Sequence, residues 1–137
     1  MDAQRGSGAL VMVIILLLMG TVLLQATRQQ LSDSLSLVND ESIYLQQYAL
    51  ASSALAWGEQ LTWPDDTGWR CQSQQDFRWR ACLLRWSSGT LLRGDSGSGT
   101  LALFRWVNRR FDGKIYAIPH GWLDHCPLPD RGTCHGL

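Results

Sequence analysis

Four cysteines and three histidines hold most of the reactive side chains in this chain. Cys71, Cys82, Cys126 and Cys134 are even in number and all follow a long apolar segment, the pattern of disulfides formed in an oxidising compartment. The simplest pairing is local, Cys71 with Cys82 and Cys126 with Cys134, closing loops of about 12 and 9 residues worth about 2–3 kcal/mol each. Sequence alone allows three connectivities. The rival chemistry is zinc, because His125-Cys126 and Cys134-His135 offer two imidazoles and two thiolates. Adjacent His-Cys pairs fit poorly around one tetrahedral ion, which favours disulfides and no metal. His120, the third histidine, is expected to pack or to face solvent.

A second group is aromatic and basic. Trp79, Trp86 and Trp106 stand beside Arg78, Arg80, Arg85 and Arg105. Such interleaving can stack on single-stranded nucleic acid. The more ordinary use, which we favour, is tryptophan in the core with arginine laid over it. No Gly-rich phosphate loop, nucleophile elbow, Ser/His/Asp set or paired carboxylates occur. The chain therefore reads as non-enzymatic, with no cofactor and no small-molecule substrate.

The 137 residues suit one small domain and carry no net formal charge. The charge is nevertheless polarised. Gln29 to Asp66 contains no Lys or Arg but has Asp33, Asp40, Glu41, Glu59, Asp65 and Asp66. Arg70 to Lys114 carries nine cations against Asp76, Asp95 and Asp112. The two halves can attract within one molecule or between neighbours.

These residues must be positioned by elements that the pattern outlines. No charge lies between Arg5 and Arg28, and those 22 residues would reach about 33 Å as a helix, enough to cross a hydrocarbon core. Ala9, Val11, Ile14, Leu17 and Leu24 typify the anchor. Each Leu, Ile or Val favours insertion by about 0.3–0.6 kcal/mol, so Gly20, Thr21 and Gln25 do not reverse the sum. Arg5 favours a cytoplasmic N-terminus. "LLQAT" fits a secretory cleavage site badly, because Leu24 stands where a small residue is needed. No Cys follows the segment to take a lipid, and it is therefore expected to be retained.

Beyond Arg28 the helix continues with apolar stripes: Leu31, Leu35, Val38, Leu45 and Ala49; Ile43, Leu50, Ala54 and Trp57; Tyr44, Tyr48 and Leu55. Several stripes require more than one packing surface. From Gly8 to Leu61 the helix would be roughly 80 Å long, and Trp63-Pro64 should end it. "PDDTG" then reads as a turn. Downstream, Arg78–Trp86, Thr90–Arg93, Thr100–Val107 and Lys114–Ile118 read as strands of a small antiparallel sheet, with Asp112-Gly113 as a hairpin. Gly94 to Gly99 reads as a flexible loop, its Arg93-Gly94-Asp95 tripeptide as chance, and the tail from His120 as irregular and stapled.

The leader, a basic residue and Gly directly before an apolar helix, resembles the type III signal of type IV pilins and type II secretion pseudopilins. That resemblance implies cleavage by a prepilin peptidase between Gly6 and Ser7 (with Gly8 the alternative) and methylation of the new N-terminus at Ser7. The family's usual Glu at the fifth mature position is Val11 here, or Val13 after a cut at Gly8. In the family this carboxylate is thought to meet the neighbouring subunit's amine, so its absence speaks against building a shaft. PilX-type minor subunits and the tip pseudopilin also lack it. "SALAWG" (Ser53–Gly58), "CQSQQDFRWRAC" (Cys71–Cys82) and "DGKIYAIPHGWLDHCP" (Asp112–Pro127) with the final Cys134 extend the likeness to the YgdB-type prepilin-like family.

What the resemblance implies is an α+β, pilin-like fold. Residues 1–6 would be the leader, 7–28 the transmembrane half of a long helix, and 29–63 its periplasmic amphipathic half. Residues 64–137 would form a disulfide-stapled, β-rich head. The implied role is a minor pilin or pseudopilin that primes or caps a type IV pilus or type II secretion-like filament. Its partners would be other minor pilins or pseudopilins and the prepilin peptidase. It would sit single-pass in the inner membrane of a Gram-negative bacterium, its head in the periplasm. The alternative is an uncleaved anchor presenting a periplasmic module that binds a ligand or DNA.

Overall fold

A computed structural model of the chain describes residues 3–98 and 101–135. Met1 and Asp2 of the leader, Gly99 of the expected loop, Thr100 of the expected third strand and the last two tail residues lie outside the described residues. The chain is one long N-terminal helix followed by a five-stranded antiparallel sheet with two disulfides, an α+β layout. Helix α1 runs Ala3–Gln60 without interruption. The sheet is a simple meander of β1 (Gly68–Gln74), β2 (Trp79–Trp86), β3 (Gly89–Asp95), β4 (Ala102–Arg109) and β5 (Ile115–Leu123), in that order. The chain divides into two compact units, residues 1–42 and 43–137.

In the first unit, the side chains of α1 from Gly6 to Ser42 are exposed. One part of it is long and apolar enough to cross a membrane. Its two threonines satisfy their hydroxyls on the helix itself, Thr21 Oγ1 donating to the Leu18 carbonyl at 2.8 Å and Thr27 Oγ1 to the Leu23 carbonyl at 2.9 Å. Neither hydroxyl would then carry an unpaired donor into a bilayer.

In the second unit the sheet is covered on both faces. Ala51 and Leu55 of α1, with Trp63, pack on Ala81, Leu83, Leu92, Leu103, Val107 and Ile115. Leu84, Leu91 and Phe104 point the other way, beneath Leu128, Cys126 and Cys134 of the tail. The alternation follows from the period of two in a strand. The buried helix positions, Ala51, Ala54, Leu55 and Gly58, recur at three and four residues. All but Leu55 are small, and the reason is distance. A Cβ on Gly94 of β3 would lie 2.6 Å from the Leu55 amide nitrogen and 2.7 Å from the Ala51 carbonyl oxygen. The helix backbone thus rests on the strand backbone. We expect Gly94→Ala to cost about 1–3 kcal/mol, since neither backbone can yield to an added methyl; thermal unfolding followed by circular dichroism measures it.

Several strand boundaries differ from the sequence reading. The segment taken to loop from Gly94 instead continues β3 through Asp95, with both residues buried. β1 is a strand for which the sequence reading has no counterpart, because its residues "GWRCQSQ" lie at the sheet edge and need little apolar character. β5 runs past Pro119 to Leu123 by way of a bulge: Arg105 pairs Trp122 while Val107 pairs Ala117. Proline has no N–H to place in a ladder, and an edge bulge accommodates it. The tail ends in a short 3-10 helix, Arg131–Cys134, capped by the Asp130 carboxylate accepting from the Gly132 amide at 3.0 Å. Asp112-Gly113 does make the β4–β5 turn, with Gly113 at φ +79° and the Arg110 amide donating to the Lys114 carbonyl at 2.8 Å.

Candidate functional site

The residues singled out for processing and anchoring all lie on α1. Gly6 and Ser7 sit in its opening turns, so the helix begins earlier than the Gly8 start read from sequence. A Cβ on Gly6 or Gly8 would meet nothing within 4 Å. Ala9, Val11, Ile14, Leu17 and Leu24 are exposed along the apolar stretch. Further along, Leu31, Leu35, Leu37 and Val38 are also more than half exposed. Of the three expected stripes, the first remains uncovered, whereas Ala54 of the second and Leu55 of the third are buried on the sheet. Tyr48, half-buried, meets Trp122 edge-on at 6.4 Å.

The cysteines are joined Cys71–Cys82 and Cys126–Cys134, with no free thiol among the described residues. The first bond links residues directly opposite each other on β1 and β2; the second staples the tail across Leu128. Both sulfurs of the rival zinc arrangement are thereby committed to each other. His125 is exposed and pairs with Asp124, Nδ1 to Oδ1 at 2.9 Å. That hydrogen bond holds the Asp124 carboxyl below the usual carboxylate range. His120 is exposed at the β5 bulge, with φ at 60°.

Of the arginines beside the tryptophans, Arg80, Arg85 and Arg105 bond to carboxylates. Arg105 Nη1 donates to Glu59 Oε1 at 3.0 Å, tying β4 to α1. Asp65 accepts from Arg85 and, at 2.7 Å, from Arg109 Nη1. These two pairs line a cleft of about 610 Å³ beside Trp63 and the 110–113 turn. Trp63 is the tryptophan at the core, and its indole donates to the Gly58 carbonyl at 2.9 Å. Trp86 is 43% exposed, and Trp79 stacks on Phe77 with ring centroids 4.6 Å apart.

The most concentrated polar chemistry lies where sequence reading saw a loop. Asp95 is fully buried and accepts from Arg80 through both oxygens, Nε to Oδ1 at 2.9 Å and Nη2 to Oδ2 at 3.0 Å. The Gly97 amide donates to Asp95 Oδ1 at 2.6 Å. Arg93, only 2% exposed, makes an ion pair with Asp95 through Nη1. The contact is not aligned as a hydrogen bond, and Arg93 Nε and Nη1 have no hydrogen-bond partner. Two guanidiniums, the buried Arg93 and the part-exposed Arg80, therefore share one fully buried carboxylate. Burial lowers the Arg93 pKa, Asp95 opposes that shift, and Arg80 adds to it. The signal that could have exposed this cluster is alternation: Arg93 and Asp95 are two apart and share a face once the strand is carried to residue 95.

The family model described as "Protein of unknown function (DUF2509)" matches residues 15–134. The chain belongs to this family. The matched region starts inside the apolar part of α1 and takes in the whole sheet, both disulfides and the buried Arg93–Asp95–Arg80 group, but not Gly6 or Ser7. No curated protein and no solved structure matches.

Proposed function

We propose that this chain is a minor pilin- or pseudopilin-like subunit, cut by a prepilin peptidase after Gly6 and methylated on Ser7, that primes or caps a filament of the type IV pilus or type II secretion kind. The observation that carries the reading is α1: one uninterrupted helix bears a membrane-length apolar stretch and, at its other end, the face that covers a small antiparallel sheet. Leu31, Leu35, Leu37, Val38, Ile43 and Leu45 stay exposed between these parts. Scattered exposed leucines are ordinary, but a run of this length marks a protein-binding surface.

On this reading the inner membrane holds the subunit through Ala9 to Leu24, and the head stands in the periplasm. Joining partner subunits exchanges lipid contacts for helix packing by Leu, Ile and Val. Val11 matters here. With an apolar residue at this position, no carboxylate has to find a cation inside the helix bundle, which would otherwise be costly. A subunit at the tip has no neighbour ahead of it to supply that cation.

The test is the mass of the mature chain after co-expression with a prepilin peptidase. We expect loss of residues 1–6 and one added methyl on Ser7, and full retention of the leader in Gly6→Ala. An intact Met1 in the unmodified chain, with the peptidase demonstrably active on another substrate, refutes the proposal in favour of a simple anchored module.

A further inference from the structure

We infer that the Cys71–Cys82 disulfide is an exchange site for an external thiolate, with Cys71 the sulfur attacked and Arg93 placed to receive Cys82 as the departing thiolate. Three observations carry this independently of any filament role.

The first is an asymmetry of access. Cys71 lies on the edge strand β1 and is exposed, whereas Cys82 on β2 is fully buried. Of the two residues only Cys71 is open to the solvent from which a nucleophile arrives. In the other disulfide Cys126 is half-buried and Cys134 fully buried beneath Leu128, in apolar surroundings.

The second is the sheet register. Cys71 stands opposite Cys82, and Cys82 stands opposite Arg93. Residues directly opposite on antiparallel strands have Cβ atoms about 4.5–5.5 Å apart on one face. Arg80 and Asp95 form the next opposed pair on that face, two residues along. Cys82 is therefore one corner of a four-residue block whose other corners are Arg80, Arg93 and Asp95.

The third is the charge of that block. Asp95 already accepts from Arg80 through both oxygens and from the Gly97 amide. Arg93 is buried with Nε and Nη1 lacking hydrogen-bond partners. A buried donor left unsatisfied is costly, and a buried excess cation more so. Both costs fall when a thiolate appears at Cys82. The intact disulfide is thus bordered by a cation whose only counter-ion among the described residues, Asp95, is shared with Arg80, and the thiolate formed on reduction would supply a second negative charge.

The step balances as an ordinary exchange. The external thiolate bonds to Cys71 Sγ as the Cys71–Cys82 bond breaks, and the electron pair leaves on Cys82 Sγ. A second thiolate then attacks the external sulfur of the mixed disulfide, releasing Cys71 and completing a two-electron reduction; the two external thiols end as their own disulfide. A leaving thiol of lower pKa departs faster. Burial alone would raise the Cys82 thiol, whereas an adjacent cation brings thiols down to about 3.5–7.5. The two effects oppose each other at Cys82, which makes the sign of the net shift decisive.

The full chain in detergent micelles, treated with reduced glutathione, acid-quenched and alkylated, is read by peptide mass spectrometry. We expect glutathione on Cys71 and a free thiol on Cys82 while Cys126–Cys134 remains closed. Adducts appearing first on Cys82, Cys126 or Cys134 overturn the inference. Arg93→Met should slow adduct formation at Cys71 about tenfold, with Arg93→Lys restoring most of the rate. The state of Cys126–Cys134 in the same sample reports whether the head has simply opened. The pH dependence gives a second, independent readout. In Cys71→Ser the lone Cys82 thiol, followed by thiolate ultraviolet absorbance, should titrate below the ordinary value of about 8.5. Titration at or above that value would show that desolvation wins and that Arg93 does not serve the leaving sulfur.

Discussion

Replacing Asp95 with Ala is expected to destabilise the head by about 3–5 kcal/mol, the range for removing one partner of a buried ion pair. Asp95 is fully buried and is the shared counter-ion of Arg80 and Arg93. Without it Arg93 keeps a charge that neither water nor protein compensates, and Arg80 loses a bidentate partner. Asp95→Asn should be nearly as harmful, because the shape survives but the charge does not. The double variant Asp95→Ala with Arg93→Met should recover much of the loss, since it removes the stranded cation along with its counter-ion. Guanidinium unfolding of the full chain in micelles measures all three. A loss below about 1 kcal/mol for Asp95→Ala would mean that the group is hydrated in solution, since surface pairs contribute no more than that.

Trp63→Ala is expected to have a comparable effect, about 3–5 kcal/mol. Trp63 is 2% exposed and fills the space where the end of α1 meets the sheet. Its indole N–H satisfies the Gly58 carbonyl, one of the last in the helix, and its amide donates to the Gly113 carbonyl at 2.8 Å. It therefore closes the helix and seats the β4–β5 turn at once. Trp63→Phe keeps most of the apolar volume but gives up the indole bond, leaving the Gly58 carbonyl only the longer bond from the Leu61 amide at 3.4 Å; about 0.5–1.5 kcal/mol is expected. Thermal unfolding separates the two. Equal losses for Ala and Phe would assign the effect to the hydrogen bond rather than to packing.

Much of the architecture was legible in the residues. The absence of proline before Pro64 and the long apolar run outline α1, and Asp112-Gly113 marks the last hairpin. What was misread has a common cause. β1 is polar because an edge strand is half-solvated. β5 contains Pro119 because a bulge excuses it from the ladder. Gly94 and Asp95 resemble in composition the Ser and Gly residues after them, yet Gly94 is there because the helix backbone leaves no room for a Cβ. Composition cannot distinguish a glycine required by close approach from a glycine in a loop.

The candidate chemistry divides along the same line. From the chain alone came the membrane-length helix, the leader-like Arg5-Gly6 step and four cysteines in two nearby pairs, because each is a local property of spacing or hydropathy. Only the tertiary structure set Arg93 opposite Cys82, gathered Arg80 and Arg93 on one buried carboxylate, and made Cys71 the exposed member of its disulfide. Those relations depend on cross-strand register and on which face a helix or tail covers. Both are decided by packing among residues far apart in the chain, which no window of neighbouring residues contains.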